Sequence, residues 1–306
     1  MKRVLLATEK PFAASAVAKI EEIFAKVNYE LIKLENYASV DELKNGVKDV
    51  HALIIRSDKV TSEIMAEAPE LKIVVRGGAG YDNVDCNAAS EKGITVMNTP
   101  GVNANAVAEL AMGMAVYVAR NLFTPKSGSE LLGKKIGIHA YGNVGKNVAR
   151  IAKGFGMEVY AFDPFIKKEI IEADDVKVVD TVEELYKTCQ YISLHIPANE
   201  HTKKSINKNL LSLMPKGATL LNTARKEVVC EEGLKIILEE RPDFKYASDI
   251  APDSASELNE KFAGRVFFTP KKMGAQTGEA NVNAAVAAAN QIVNFFENGD
   301  ITFKVN

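Results

Sequence analysis

The stretch from residue 136 to residue 163 has the residue types, in the right order, to hold a phosphate-bearing cofactor. An apolar run at 136–140 leads into Tyr141, Gly142, Asn143, Val144 and Gly145. A helical pattern follows, then a second apolar run at 157–162, closed by Asp163. Gly142 lets the backbone approach a pyrophosphate with no side chain in the way. Gly145 lets the helix lie close to the sheet, and the unpaired N–H groups at that helix's start can face phosphate. Asp163, eighteen residues after Gly145, is placed to accept hydrogen bonds from an adenosine ribose. A carboxylate there favours NAD and repels the extra phosphate of NADP. Ala140 stands at the first position of the G-x-G-x-x-G fingerprint, where glycine is usual.

Four further segments follow apolar runs, at the strand ends where ligands bind in open α/β sheets. Arg56, Ser57, Asp58 and Lys59 form the first. The second runs from Arg76 through Gly77, Gly78, Ala79 and Gly80 to Asn83, and reads as a backbone nest beside an arginine, suited to a carboxylate or phosphate. The third is Asn222, Thr223, Ala224 and Arg225; an arginine there can clamp a carboxylate with two parallel hydrogen bonds and polarise the neighbouring carbonyl. The fourth runs from Thr269 to Thr277 and carries Lys271 and Lys272.

Positioning these segments requires two sheets. Buried strands are predicted at 4–7, 30–34, 52–55, 72–75 and 95–97, with helices at 13–27, 40–45 and 62–67 between them. A second series of strands is predicted at 136–140, 158–162, 176–179, 191–195, 219–222, 246–249 and 266–269, the strand count of a doubly wound dinucleotide domain. The helix at 104–120 is apolar nearly all round, which predicts burial on every side by core or by a partner subunit. The last helix, 279–297, is expected to cross back to the first domain.

At 306 residues, 47% hydrophobic and 25% charged, the chain is long enough for two ordinary domains with substantial cores. A net charge of −2 gives no reason to expect nucleic acid or a membrane surface as partner, so an anionic substrate must be met by local cations. Cys86, Cys189 and Cys230 have neither metal-ligand nor redox spacing and read as reduced thiols, and no metal is expected. With no signal-peptide core after Met1, the expected compartment is the cytoplasm.

The segments 76–85, 98–110, 140–145, 193–197 and 222–225 together resemble the D-isomer-specific 2-hydroxyacid dehydrogenases over nearly the whole chain. Within that family the likeness is closest to the branch acting on D-3-phosphoglycerate. The end near Asn306 suggests a short form without a C-terminal regulatory domain. The resemblance implies two doubly wound parallel-sheet domains. One is a Rossmann NAD domain at 103–273; the other is a discontinuous flavodoxin-like substrate domain at 1–102 and 274–306.

It also implies hydride transfer between the substrate C2 and the nicotinamide, with Arg225 binding the carboxylate and carbonyl. Cofactor contacts fall on Ala140, Gly142, Asn143, Val144, Gly145, Asp163, His195, Pro197, Thr223, Ala224, Asp249 and Gly274. Substrate contacts fall on Arg56, Ser57, Lys59, Arg76, Gly77, Gly78 and Asn103. A homodimer through the helix after Asn103 is implied as well.

Two family residues are not matched. The family's catalytic histidine follows Thr-Pro and stands two residues before a glycine. Here Lys272 stands two before Gly274, while Lys271 directly follows Pro270. Lys272 is the preferred base, and a lysine base predicts an alkaline optimum for oxidation. The family's glutamate lies five residues after the aspartate matching Asp249, where this chain has Ser254; a one-residue deletion brings Asp253 into register. Two other readings stand beside this one: a dehydrogenase of another D-2-hydroxy acid, such as glycerate or lactate, and a non-catalytic NAD-sensing protein on the same fold.

Overall fold

Short runs of β-branched and aliphatic residues, closed by turn-forming segments, become the strands of two all-parallel sheets. The computed structural model describes residues 1–306. In chain order the elements are β1 (Arg3–Thr8), α1 (Ala14–Lys26), β2 (Glu30–Glu35), α2 (Val40–Gly46), β3 (Ala52–Ile55), α3 (Ser62–Ala66), β4 (Ile73–Arg76), α4 (Cys86–Glu91) and β5 (Thr95–Asn98). There follow α5 (Ala104–Ala119), β6 (Lys135–His139), α6 (Asn143–Gly154), β7 (Glu158–Phe162), α7 (Lys168–Glu172), β8 (Lys177–Val178), α8 (Val182–Thr188), β9 (Tyr191–Leu194) and α9 (Lys208–Ser212). The last elements are β10 (Thr219–Asn222), α10 (Glu231–Glu240), β11 (Lys245–Ser248), α11 (Ala255–Lys261), β12 (Val266–Phe268) and α12 (Gly278–Asn298).

The chain forms two units, Met1–Asn103 with Gln276–Asn306, and Ala104–Ala275. The first has a five-stranded sheet in the order β2-β1-β3-β4-β5. The order in which strands are added reverses between β1 and β3, so the loops after these strands flank a topological switch point. One core cluster lies on each face of the sheet. Val4, Leu6, Ile54 and Val75 face α1 and α12, and Leu5, Leu53, Ile55 and Val74 face the other way. The alanines of α12 (Ala285, Ala288, Ala289) are fully buried against that first face, and small side chains let this helix lie close to α1. Thr277 caps its start by accepting from the Ala280 N–H at 3.1 Å, and Gly299, at φ +67°, ends it.

The second unit has seven strands in the order β12-β11-β10-β9-β6-β7-β8, with its switch point between β6 and β9. Strand interiors follow the sequence expectation, and the differences lie at the ends. Strand β6 stops at His139 because Ala140 turns to φ +81°. Strand β8 shrinks to two residues at the sheet edge. Helix α5 is buried along Ala108, Ala111, Met112, Ala115 and Val118 and leaves Asn105, Glu109 and Gly113 exposed, so this chain alone does not cover it on every side. No helix is long and apolar enough to cross a membrane.

Candidate active site

In the first unit the expected anion-binding segments sit at the ends of adjacent strands, β3 and β4, with Ile55 in register with Arg76. The organiser of the first segment is the residue in it to which the sequence assigned no role. Asp58, 3% exposed, accepts hydrogen bonds from the Glu9 N–H (2.7 Å), the Tyr37 hydroxyl (2.9 Å) and the Arg56 N–H (3.1 Å). It ties the loops after β1 and β3 together across the switch point. Ser57 and Lys59, on either side of it, are exposed. The Arg76 Nε donates to the Arg56 carbonyl at 3.0 Å, and Asn83 donates to the carbonyls of Arg56 (3.1 Å) and Asp58 (2.6 Å).

The nest reading of the glycines needs correction. The Gly77 N–H donates to the Ile55 carbonyl and the Gly78 N–H to the Arg76 carbonyl, so neither faces a ligand. Gly78 has another task. At φ +146° it lies where only glycine is comfortable, and a Cβ there would come within 1.7 Å of the Arg76 Nη1. The glycine makes room for the guanidinium. Asn103 is the last residue of this unit before α5 and is partly buried.

In the second unit the remaining candidates line the C-terminal ends of the strands. Ala140 takes a left-handed backbone that costs a non-glycine residue about 1–2 kcal/mol. Its N–H donates to the Phe162 carbonyl at 3.0 Å, and the next N–H, of Tyr141, donates to the Asp163 Oδ2 at 2.7 Å. Asp163 Oδ1 accepts from the Phe165 N–H at 2.9 Å. A carboxylate has about four lone-pair sites, so two remain for ribose hydroxyls.

Gly145 is where close packing is decided. A Cβ there would lie 2.3 Å from the Ala140 carbonyl oxygen and 2.9 Å from Ile138 Cγ2. At Gly142 a Cβ would meet nothing within 4 Å, which leaves an open cradle beside the first N–H groups of α6. At the end of β10, the Thr223 Oγ1 is buried with no partner. Open cradle, helix start, Asp163 and unpartnered hydroxyl together fit a dinucleotide.

Below this loop lies a polar cluster at the ends of β6, β7 and β9. The His139 Nδ1 is 3.2 Å from the Tyr186 hydroxyl and its ring packs edge-on against Phe162; the His195 Nε2 is 2.9 Å from the Ser193 Oγ. Burial holds both imidazoles neutral: that of His139 is pushed down to about 4, although Asp163 opposes this, and that of His195 to about 3, with His139 adding to the effect. His195 is partly buried and its ring is held by Ser193, while Pro197, two residues on, is exposed.

Asn222 closes the turn after β10. Its Oδ1 accepts from the Ala224 N–H at 3.0 Å and its Nδ2 donates to the Arg225 carbonyl at 2.9 Å. Arg225 is half-buried and one of its N–H groups reaches the Ala224 carbonyl at 2.9 Å, leaving four donors.

The acidic partners fall differently from the expectation. Asp253, with 80% of its side chain exposed, pairs with Lys226. The carboxylate that touches the lysine-bearing loop is Asp249, which is fully buried. Its Oδ1 accepts from the Thr269 hydroxyl (3.0 Å) and the Met273 N–H (2.7 Å), and its Oδ2 from the Gly274 N–H (2.8 Å). Asp253 itself is held by Glu231, which accepts from the N–H groups of Asp253 and Ser254 and from the Ser254 hydroxyl. Lys271 and Lys272 are both exposed. No group of His, Cys, Asp and Glu side chains is arranged to hold a metal ion.

Residues 6–306 match the model of the D-isomer-specific 2-hydroxyacid dehydrogenase catalytic domain. The chain belongs to this family. Among solved structures, the family fold here is similar over its full length to an NAD+-bound 3-phosphoglycerate dehydrogenase from Entamoeba histolytica. The two share 45% identity at a TM-score of 0.89, covering 100% of this chain and 98% of that one. The chain is 36% identical over 267 residues to the D-3-phosphoglycerate dehydrogenase of Methanocaldococcus jannaschii, matching 82% of this chain but only 51% of that enzyme's length. It is 34% identical over 281 residues to the hydroxypyruvate reductase of Thermotoga maritima, 86% of this chain and 90% of that enzyme.

Proposed function

We propose that this dehydrogenase oxidises D-3-phosphoglycerate to 3-phosphohydroxypyruvate with NAD, the step that opens serine synthesis. The observation that carries the reading is the full-length likeness, at 45% identity, to the Entamoeba NAD+-bound 3-phosphoglycerate dehydrogenase. The geometry supports it in two ways. The Arg56 and Arg76 pair at neighbouring strand ends is the cationic feature a phosphorylated acid needs in a chain of net charge −2. The strand–Gly142–helix turn and Asp163 supply pyrophosphate and ribose contacts.

NAD, held by the 140–145 loop, Asp163 and the Thr223 turn, supplies the acceptor for the C2 hydride. Arg225 binds the substrate carboxylate and polarises the C2 oxygen as it becomes a carbonyl. A neutral lysine, Lys272 in preference to Lys271, takes the hydroxyl proton as the C–O double bond forms. A free lysine loses its proton near about 10.4, so oxidation speeds up with alkalinity. Asp249 holds the lysine's loop in shape through Met273 and Gly274. Asp253 then has no direct part in the proton transfer.

A second reading, oxidation of D-glycerate or reduction of hydroxypyruvate, is favoured by the Thermotoga hydroxypyruvate reductase. We also propose pairing of two copies through the helix after Asn103. The partly exposed stripe of α5 and the nearby apolar side chains of Phe123 (68% exposed), Leu132 (67%) and Phe155 (41%) favour it.

The deciding experiment is the initial rate of NADH formation with D-3-phosphoglycerate, D-glycerate and D-lactate from neutral to strongly alkaline pH. A rate specific to the phosphorylated acid, rising with pH and lost in Lys272→Ala, is the expected result. Preference for D-glycerate moves the assignment to the second reading. Binding of NAD with no turnover of any acid overturns the enzyme.

A further inference from the structure

Arg56 is held from several sides in the first unit. Its guanidinium lies over the Phe12 ring, with Cζ 5.1 Å from the ring centroid. Its Nη2 donates to the Asn281 Oδ1 at 2.6 Å, and its Nη1 reaches the Pro11 carbonyl at 3.5 Å. Behind it, the backbone is fixed by Asp58. Asn281 comes from the first turn of α12, 225 residues further along the chain.

The orientation of Asn281 is itself determined. Its Nδ2 donates to the Thr277 carbonyl at 2.9 Å, and Thr277 is the residue capping the helix. That contact leaves only the Oδ1 to face Arg56. A guanidinium has five N–H donors. Two are taken by Asn281 and Pro11, so three remain, in a fork whose direction is set by an aromatic ring on one face and an amide at one edge. A neutral acceptor matters here: an amide orients the guanidinium and leaves its charge intact, whereas a carboxylate in the same place would neutralise it.

We infer that Asn281 is a positioning residue, holding the Arg56 fork ready for the substrate phosphate and thereby setting the preference for phosphorylated over unphosphorylated hydroxy acids. The inference rests on the reading of Arg56 as a phosphate-binding group. Its geometry does not depend on the identity of the catalytic base.

The test compares Asn281→Ala, Asn281→Asp and Arg56→Ala with the parent chain in steady-state oxidation of D-3-phosphoglycerate and D-glycerate. Asn281→Ala should raise KM for the phosphorylated acid about tenfold, the weight of one hydrogen bond to a charged group, with kcat changed less than about twofold. KM for D-glycerate should stay within about twofold, a split that general loosening of α12 would not produce. Asn281→Asp keeps the size, gives up the bond to the Thr277 carbonyl and sets a carboxylate against Arg56 that cancels its charge, so it should raise the same KM further, by about a hundredfold. If Arg56→Ala leaves the preference for the phosphorylated acid intact, the phosphate reading of Arg56 falls, and the inference with it. If Arg56→Ala abolishes the preference while both Asn281 variants keep the parent KM, the reading stands and the inference is overturned.

Discussion

Acidification should destabilise the second unit through His139 and His195, and the size of the effect follows from how far their imidazoles are held neutral. In the folded chain they charge only near about 4 and about 3, whereas an imidazole in an unfolded chain charges near about 6.5. Above that value both states hold neutral rings and the full stability is present. Below it the unfolded chain binds two protons that the folded chain refuses. Stability then falls by about 1.4 kcal/mol per pH unit for each histidine until the folded value is reached. Between about pH 7.5 and about pH 5 the loss comes to about 2 kcal/mol per ring and about 4 kcal/mol for the pair. Whole domains have only about 5–15 kcal/mol to lose.

The perturbation is the double variant His139→Gln, His195→Gln, whose amides can still meet the Tyr186 hydroxyl and Ser193 but do not titrate. Urea unfolding is followed by circular dichroism and tyrosine fluorescence, the chain having nine tyrosines and no tryptophan. Whatever stability the substitutions remove at neutral pH, the double variant should lose about 4 kcal/mol less than the parent on reaching about pH 5. Carboxylates shared by both chains drop out of that difference. Parallel pH curves for the two proteins would refute the reasoning, as would an imidazole NMR midpoint near 6 for either histidine in the folded parent.

Two further outcomes test the cofactor loop and the lysine loop. Gly145→Ala should cost about 1–3 kcal/mol, because its Cβ meets the Ala140 carbonyl oxygen at 2.3 Å, while Gly142→Ala should leave stability unchanged and weaken NAD binding instead. Thermal unfolding with and without NAD checks the pair, and the reverse pattern contradicts the assigned roles. Asp249→Asn should cost about 1–3 kcal/mol by leaving a buried N–H without an acceptor. Hydrogen exchange should then speed up at the amides of Met273 and Gly274, and unchanged protection there counts against Asp249 as the anchor of that loop.

The strands were legible because parallel strands covered on both faces are continuous apolar runs, and Val4 to Ala7 or Ile136 to Ile138 can be little else. Gly145 was legible for a related reason: a glycine three residues into a strand–helix turn has few other uses. What sequence spacing could not convey was where polar side chains turn. Counting from Asp249 finds Asp253, yet Asp253 points to Lys226, and it is Asp249 that folds back onto the loop after β12. The three glycines after Arg76 look like an anion nest. Their meaning changes once the Gly77 N–H is seen on the neighbouring strand and Gly78 under a guanidinium. Asn281 had no signal at all, since its partner lies 225 residues away and is met only because α12 returns to the first unit.

These differences have a common physical source, which bears on how a chain of net charge −2 can serve an anionic substrate. At five of the strand ends an acidic side chain is turned inward onto N–H or O–H donors. Asp58 gathers the loops after β1 and β3, Asp163 the turn after β6, Asp249 the loop after β12, and Glu231 the segment after β11. A carboxylate that accepts several such bonds is well stabilised where it sits, and the donors it satisfies would otherwise leave these loops loose. Arg56 and Arg225 instead donate to carbonyls or to the Asn281 amide, neutral acceptors that orient a guanidinium without cancelling its charge. The acidic groups thus serve as internal fasteners, and these two arginines keep their charge for a ligand. The distinction depends on which way each side chain faces, and neither composition nor net charge records that.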